Sequence, residues 1–460
     1  MVRLFKHYIP HAVLLLGLFD FVLLAAAAEL GWRVRAGQIG IDLTTFKRQW
    51  ELAGFAVIML TAMISVGVYG SEALRSLRYA GARLLVAISL GTIAISFIDW
   101  TLRGGHFWRS TLAYAMAASV VFLVVNRLIV GGILGAHAFR RRVLVLGSGH
   151  RADRLRQLGE RPEAGFAIVG YIGMSDAKPV IEEAINRSAI HNLKRFVENL
   201  GVSEVVLALE ERRNSLPLPD LLRIKTAGVH VNDFSSFIER ETGRVDLDTV
   251  NPSWLIFSDG FSSGRAVSSV AKRLFDVAAS LLLLVLTLPL IVLFAALVKL
   301  DSKGPAFFRQ LRVGLYGQPF HVIKLRSMQT DAEAAGAQWA IMDDPRVTRI
   351  GRFIRKLRID ELPQTWSVLK GEMSFVGPRP ERPEFVADLE DKLPYYAERH
   401  MVKPGITGWA QINYPYGASI EDSRHKLEYD LYYAKNYTPF LDLLIILQTL
   451  RVVLWREGAR

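Results

Sequence analysis

The sequence predicts an α/β membrane protein: four N-terminal transmembrane helices, a small parallel α/β domain, a further membrane helix and a polar C-terminal domain. Three observations carry this. Four apolar stretches open the chain, each close to the roughly 20 residues that cross a bilayer. A short apolar run then ends in a glycine-rich turn, the pattern of a strand entering a βαβ unit. A fifth apolar run leads into a segment dense in Arg, Lys, Pro and Gly. Composition agrees: 51% of the 460 residues are hydrophobic and mean hydropathy is +0.23, high for a soluble chain. The formal charge of +12 and pI near 9.8 call for an anionic partner. The basic residues lie beside apolar helices and no nucleic-acid motif is present, so lipid headgroups or a phosphorylated substrate are expected, and no nucleic acid. With no cysteine, disulfides, thiolate nucleophiles and Cys-ligated zinc are excluded.

Residues 9–30, 52–69, 82–100 and 111–134 supply the four spans of a membrane region over residues 1–140. The first is no cleaved signal peptide: it carries Asp20 and leads into Glu29-Leu30-Gly31-Trp32, not a small-residue cleavage site. Arg3 and Lys6 precede it, Arg75, Arg78 and Arg83 separate the second and third spans, and Arg140, Arg141 and Arg142 follow the fourth. Those ends are expected in the cytosol.

Arg142-Val143-Leu144-Val145-Leu146 then runs into Gly147-Ser148-Gly149-His150-Arg151-Ala152, a G-x-G-x-x-A turn between a strand and a helix. With further strands at 167–172, 204–209 and 229–231, a Rossmann-like α/β domain is expected over residues 141–255. Gly147 and Gly149 suit a phosphate approaching a helix N-terminus. The same fold also serves as a structural scaffold, and the sequence leaves both readings open. The Ser/Gly-rich stretch 258–264 marks a linker, residues 256–270.

Lys272-Arg273-Leu274-Phe275-Asp276 introduces the apolar run 277–298, interrupted by Pro289. Lys272 and Arg273 stand before it, Lys299 and Lys303 after it, so both ends read as cytosolic. Pro289 removes a backbone hydrogen bond mid-run and bends the helix. Residues 271–303 are therefore expected to enter and leave the bilayer on one side.

The chemistry lies in residues 304–460. Arg358-Ile359-Asp360-Glu361-Leu362-Pro363-Gln364 sets an acid pair among cations. A carboxylate can attack phosphorus or hold Mg²⁺, and guanidinium forks orient phosphate oxygens. Just before it, Ile350, Phe353, Ile354 and Leu357 follow helical spacing with cations opposite, suiting an anionic membrane surface. Asp360 falls where the next helix would begin, with Pro363 in its first turn and the positive helix end facing any diphosphate. Lys324 and Arg326 alternate on a short strand and would share one face, as a diphosphate clamp or as a solvated basic edge. In Gly377-Pro378-Arg379-Pro380 two prolines stiffen the loop that carries Arg379. Lys403-Pro404-Gly405-Ile406-Thr407-Gly408-Trp409-Ala410-Gln411 reads as a turn-rich loop.

These three strings, in this order, resemble the catalytic domain of the bacterial sugar transferases, the polyprenyl-phosphate phosphoglycosyl transferases. The resemblance is close from about residue 270 onward and architectural before that. It implies a re-entrant membrane helix that breaks near Pro289, although Leu288 stands where the family often has Ser. It also implies a small α+β catalytic domain with Asp360 as nucleophile and Glu361 as a second acid or orienting group. Lys324, Arg326, Arg355, Arg379 and Lys403 would bind phosphate, and Gly405, Thr407, Gly408 and Gln411 would line the nucleotide side. Mg²⁺ held by Asp360, a UDP-sugar donor and an undecaprenyl phosphate acceptor complete the implied reaction, which opens exopolysaccharide or other surface glycan synthesis. The implied setting is the bacterial inner membrane, with the catalytic domain facing the cytosol; a homo-oligomer is compatible with it.

Three rivals compete. A nucleotide-sugar dehydrogenase or epimerase would use the Gly147–Gly149 turn, but no tyrosine here has a lysine four residues later. A metal-dependent glycosyltransferase would use Asp246-Leu247-Asp248. A non-catalytic membrane scaffold for polysaccharide export would not need the Asp360–Glu361 pair with its basic companions.

Overall fold

A computed structural model describes residues 2–4, 7–9, 11–40, 49–69, 77–101, 109–133, 140–161, 164–174, 179–210, 216–250, 266–330, 332, 344–415, 417 and 419–455. The expected linker at 258–264 lies outside them. Two compact units divide between Asp246 and Leu247.

The first unit contains four helices after the short strands at its start: α1 (His11–Ile39), α2 (Gln49–Val66), α3 (Leu77–Thr101) and α4 (Arg109–Ile133). α1 packs on α2 and α4, and α3 packs on both α2 and α4, which closes a bundle. Gly31 lets α1 approach α4 closely, since a Cβ there would lie 2.7 Å from the Thr111 carbonyl oxygen. Leu15, Phe19, Ile93 and Phe97 stay exposed, as lipid-facing residues of a membrane protein do. α1 continues nine residues past the expected end at Leu30, because Trp32 and Ala36 still face the bundle while Glu29 and Arg33 pair one turn apart at 2.9 Å. By length and apolar composition four described helices can cross a bilayer, α1, α3, α4 and the later helix over Ser269–Asp301; α2 offers a shorter apolar stretch, Trp50–Val66. Inside, Asp20 is fully buried and takes both guanidinium nitrogens of Arg127, at 2.6 and 3.2 Å. Asn126 and the Tyr69 hydroxyl also donate to it, at 2.8 and 2.7 Å. A charge this deep is tolerable only when fully partnered, and here the partners come from α4 and from the residues just after α2.

The α/β domain follows: β1 (Arg141–Leu146), α5 (His150–Glu160), β2 (Phe166–Gly173), β3 (Ile185–Asn186), α6 (Leu193–Asn199), β4 (Glu204–Leu207), α7 (Leu218–Thr226), β5 (His230–Asp233) and α8 (Phe234–Thr242). The five strands are parallel in the order β3-β2-β1-β4-β5, the arrangement of doubly wound nucleotide-binding sheets. Alternate residues bury on opposite faces: Val143, Val145 and Val206 against Leu155 and Phe237, Leu144, Leu146 and Val205 against Val197 and Ile224. The two-residue edge strand β3 is exposed and has no apolar alternation, so the sequence offered nothing by which to expect it.

The long helix of the second unit is α9 (Ala266–Asp301). The break expected near Pro289 is not an interruption: the helix is continuous through the proline, and the Thr287 hydroxyl bonds the Leu283 carbonyl. Its first arm buries Asp276 and Ser280 and its second buries Ile291, Phe294 and Val298, whereas no residue between Leu281 and Leu290 is buried. Both arms pack on the same small domain. This comprises the antiparallel pair β6 (Phe307–Val313) and β7 (Pro319–Leu325), α10 (Arg349–Lys356), α11 (Thr365–Lys370), β8 (Ser374–Val376) and α12 (Pro383–Lys392). It continues through β9 (Gly405–Thr407), parallel to β8, to α13 (Trp409–Asn413), α14 (Ile420–Asn436) and α15 (Pro439–Trp455). α10 is amphipathic as expected, but Ile350 and Ile354 face the second arm of α9 with Leu325 and Ile359, and Phe353 stacks on Phe294. Only Phe353 and Leu357 remain half exposed on its apolar side.

Candidate active site

α10 is capped at its start by Thr348, whose Oγ1 accepts the Gly351 N–H at 2.9 Å. It ends at Lys356, and Arg358 then takes a left-handed conformation, φ 59°, unfavourable for a residue with a Cβ. This turn redirects the chain into a short 3₁₀ helix, Ile359–Gln364, that packs beside β7. Asp360 and Glu361 stand in its first turn.

The two carboxylates have different surroundings. Oε1 of Glu361 accepts from Lys324 Nζ at 3.2 Å and Arg379 Nη2 at 3.1 Å, with Arg358 at 4.0 Å. Burial pushes Glu361 up, but Lys324, Arg379 and Arg358 outweigh it and hold this carboxyl well below its usual range. Burial also lowers the Lys324 ammonium, with Glu361 pulling the other way; the ion-pair contact favours the charged form. Asp360 is 8% exposed and its Oδ1 is buried without a hydrogen-bond partner among the described residues. Burial, joined by the Glu361 charge, pushes its carboxyl up to about 6, against the pull of Lys324, Arg355 and Arg358. Neighbouring acids with pKa values driven apart have divided roles. Glu361 is a fixed anion that gathers cations, and Asp360 is an acceptor with nothing yet to accept.

Arg379 reaches this site from a loop whose backbone is held on several sides. Arg399 donates to the Arg379 carbonyl at 3.0 Å while paired with buried Asp430 at 2.7 Å and bonded to Tyr396. Arg312 donates to the Pro380 carbonyl at 2.9 Å. Gly377 and Gly405 cross so closely that a Cβ on Gly377 would lie 2.2 Å from the Lys403 carbonyl, and one on Gly405 2.1 Å from the Gly377 nitrogen. The glycines of the two loop motifs are thus needed for backbone approach.

Other expected residues are placed elsewhere. Arg326 turns away from the acid pair: it is buried and donates to the Val298 and Ser302 carbonyls, closing the end of α9. β7 ends at Leu325, so the two-residue alternation no longer governs Arg326. Lys403 lies within the electrostatic reach of Arg273, Asp276 and Lys272, not of the acid pair. Gly405 and Thr407 form β9, Thr407 is hydrogen-bonded to Thr449 of α15, and Gly408 meets the Gly377 carbonyl. Gln411 donates to the Ile406 carbonyl, leaving its buried Oε1 without a partner among the described residues. Asp246 pairs with Arg154 and Asp248 with Arg424, so neither stands as a free metal ligand.

Residues 267–456 match the bacterial sugar transferase family and residues 65–215 a CoA-binding domain family. An undecaprenyl-phosphate glucose phosphotransferase of Komagataeibacter xylinus is 34% identical over 401 residues, covering 82% of this chain and 72% of the relative. The chain belongs to the bacterial sugar transferase family. Other relatives of this transferase agree. A UDP-glucose:undecaprenyl-phosphate glucose-1-phosphate transferase of Klebsiella pneumoniae is 30% identical over 93% of this chain and 88% of its own length. A UDP-N-acetylgalactosamine-undecaprenyl-phosphate N-acetylgalactosaminephosphotransferase of Aeromonas hydrophila is 43% identical, over 52% of this chain and 56% of its own length.

In this sugar transferase the α/β domain's glycine turn is engaged by its own chain. The His150 N–H at the start of α5 donates to Glu210 Oε1 at 2.7 Å, and a Cβ on Gly149 would lie 2.4 Å from that oxygen. A phosphate entering the turn would have to displace this carboxylate. Glu210 follows β4 by three residues, at the carboxyl end of the sheet, and no sequence signal marks it.

Proposed function

We propose that this chain transfers a sugar 1-phosphate from a UDP-sugar to undecaprenyl phosphate, releasing UMP, as the first step of a surface glycan. The observation that carries this reading is the unclaimed Asp360 oxygen beside a carboxylate that gathers Lys324 and Arg379. In the first displacement Asp360 attacks the sugar-proximal phosphorus. The bond to UMP breaks, its electron pair leaves with UMP, and an aspartyl phosphosugar remains. In the second, an undecaprenyl phosphate oxygen attacks the same phosphorus and the Asp360 carboxylate departs. Arg379, Lys324 and Arg355 hold phosphate oxygens through both steps, and Glu361 keeps the first two aimed. Among the described residues no group of three metal-type side chains comes together. Asp360 is the residue that would hold a Mg²⁺ ion brought in with the substrate, and that ion would neutralise phosphate charge.

The working division is residues 1–140, 141–255, 256–270, 271–303 and 304–460, with the last facing the cytosol of a bacterial inner membrane. That both arms of α9 pack on one small domain supports a helix that returns to its side of entry. In this cysteine-free chain, Arg265→Cys and Lys303→Cys are expected to label from the same side of sealed vesicles. Labelling from opposite sides would make α9 a span.

The reaction itself is tested by giving membranes undecaprenyl phosphate and a panel of UDP-sugars and following UMP. Lipid-dependent UMP release is expected; its absence with every UDP-sugar would overturn the reading. A pH profile adds detail. Because Asp360 must be ionised to attack, kcat/KM for UMP release should fall below an apparent pKa of about 6. The diphosphate diester of the donor does not titrate there. A profile flat from pH 5 to pH 8 would remove Asp360 as the ionising group.

A further inference from the structure

Three polar residues on the first arm of α9 grip the stretch of chain that links the Asp360–Glu361 turn to Arg379. Lys272 Nζ donates to the Val376 carbonyl at 3.0 Å and pairs with Asp442 of α15 at 2.6 Å. The buried Tyr433 hydroxyl joins them, accepting from Lys272 at 3.2 Å and donating to Asp442 at 2.7 Å, with the Val376 carbonyl 3.0 Å away. Val376 immediately precedes Gly377-Pro378-Arg379. One turn further along α9, buried Asp276 accepts from the Ser374 hydroxyl at 3.0 Å and the Phe375 N–H at 3.2 Å, fixing the start of the same strand. Between them, Arg273 donates to the Val368 and Leu369 carbonyls at 2.8 and 2.7 Å, at the end of the helix that follows Asp360 and Glu361. Gly371 lets the guanidinium in: a Cβ there would lie 3.3 Å from Arg273 Cζ. About three turns after Lys272 the helix becomes an exposed apolar surface, with Leu282, Val285 and Leu286 each more than 60% exposed.

We infer that Lys272, Arg273 and Asp276 are positioning residues for the transfer proposed above, on which this inference rests. They touch no reacting atom. Seated by the membrane segment that follows them, they set Arg379 in register with the Asp360–Glu361 turn, so the phosphate clamp is assembled by the helix that enters the bilayer. Arg379 is held at one end by Arg399 and Arg312 and at the other by this arm. Loosening the arm leaves its guanidinium without a fixed distance to Glu361.

The test is a double-mutant cycle on the full-length protein in lipid nanodiscs, read as kcat/KM for UMP release from the UDP-sugar. Lys272→Met with Asp442→Leu removes the ion pair without leaving a lone buried charge. Tyr433→Phe is a gentler variant that removes the hydroxyl between Lys272 and Asp442. In the wild-type background the Lys272/Asp442 variant should lose about tenfold or more, and Tyr433→Phe about threefold, mostly as a raised KM for the UDP-sugar. In an Arg379→Ala background the same changes should cost less than about twofold, since there is no guanidinium left to position. Lys272→Arg, which can still donate to both partners, should restore most of the activity. Equal losses in both backgrounds would show a merely structural role and overturn the inference, as would no loss in either. An Asp360→Asn control separates the two levels. If that variant releases UMP at the wild-type rate, the proposed role of Asp360 in the transfer has failed, whereas an inactive control with additive losses overturns only the positioning role.

Discussion

Asp360→Asn is expected to abolish UMP release and to leave the protein folded. A neutral amide is not a nucleophile toward phosphorus, so turnover should fall by about 10³-fold or more. The stability half of this prediction comes from the direction of the Asp360 shift. Its carboxyl is raised from the usual 3.8 to about 6, first by burial and then by Glu361. Between those values the folded state binds more protons than the unfolded state, so this residue favours folding less as pH rises through the interval. Above pH 6 its ionised form is a burden on the fold, and an isosteric amide relieves it. Thermal unfolding at pH 7.5 should therefore give Asp360→Asn a melting temperature equal to or above wild type. An inactive variant that also melts earlier would mean that Asp360 supports the fold, contrary to this account.

Glu361→Gln should show the opposite pattern. Its carboxyl is held far below the usual 4.5 by Lys324, Arg379 and Arg358, despite burial. A depressed pKa contributes stability that is present above the unfolded value and is lost as pH falls through about 4.5 and below. Neutralising Glu361 removes that contribution at neutral pH and leaves two cations facing an amide. Breaking a buried ion pair costs about 3–5 kcal/mol, and with Arg379 one third exposed a smaller loss, about 1–3 kcal/mol, is expected. Activity should fall by about 10²-fold, because the clamp loses its anchor while the nucleophile survives. A slow covalent adduct should still form. Melting curves together with single-turnover UMP release check both halves. Wild-type stability with wild-type turnover would show that Glu361 does not organise the cations.

Much of this could be read from the sequence, and the limits have physical causes. The spans and the strand before Gly147 are signalled by unbroken apolar runs, which apolar surroundings on every side impose on sequence, and the amphipathic α10 by helical periodicity. The Asp360–Glu361 turn and the Arg379 loop were also legible, because phosphate chemistry calls for an acid pair ringed by cations on stiffened loops and a solvated surface does not. What pattern could not assign was the destination of each long cationic side chain. Lys324 and Arg326 lie two apart, yet one meets Glu361 and the other closes α9, because the strand ends between them. Lys403 sits next to a motif but falls beside Lys272 and Arg273. Arg399 and Asp430 secure Arg379 across long sequence separations, and neither belongs to any motif. Glu210 in the glycine turn is the same kind of omission: a tertiary contact that turns an apparent phosphate site into one already engaged.

The central claim is that Asp360 carries the phosphosugar between the two displacements. Its most direct test is to mix the purified wild-type protein with a UDP-sugar alone, withhold undecaprenyl phosphate, quench in acid and examine the peptides by mass spectrometry. With Asp360 as nucleophile, a burst of UMP is expected with a phosphosugar mass on the peptide containing Asp360, discharged when undecaprenyl phosphate is added and absent from Asp360→Asn. A phosphosugar on any other residue, or UMP release that begins only once the lipid is present and leaves no adduct, would contradict it.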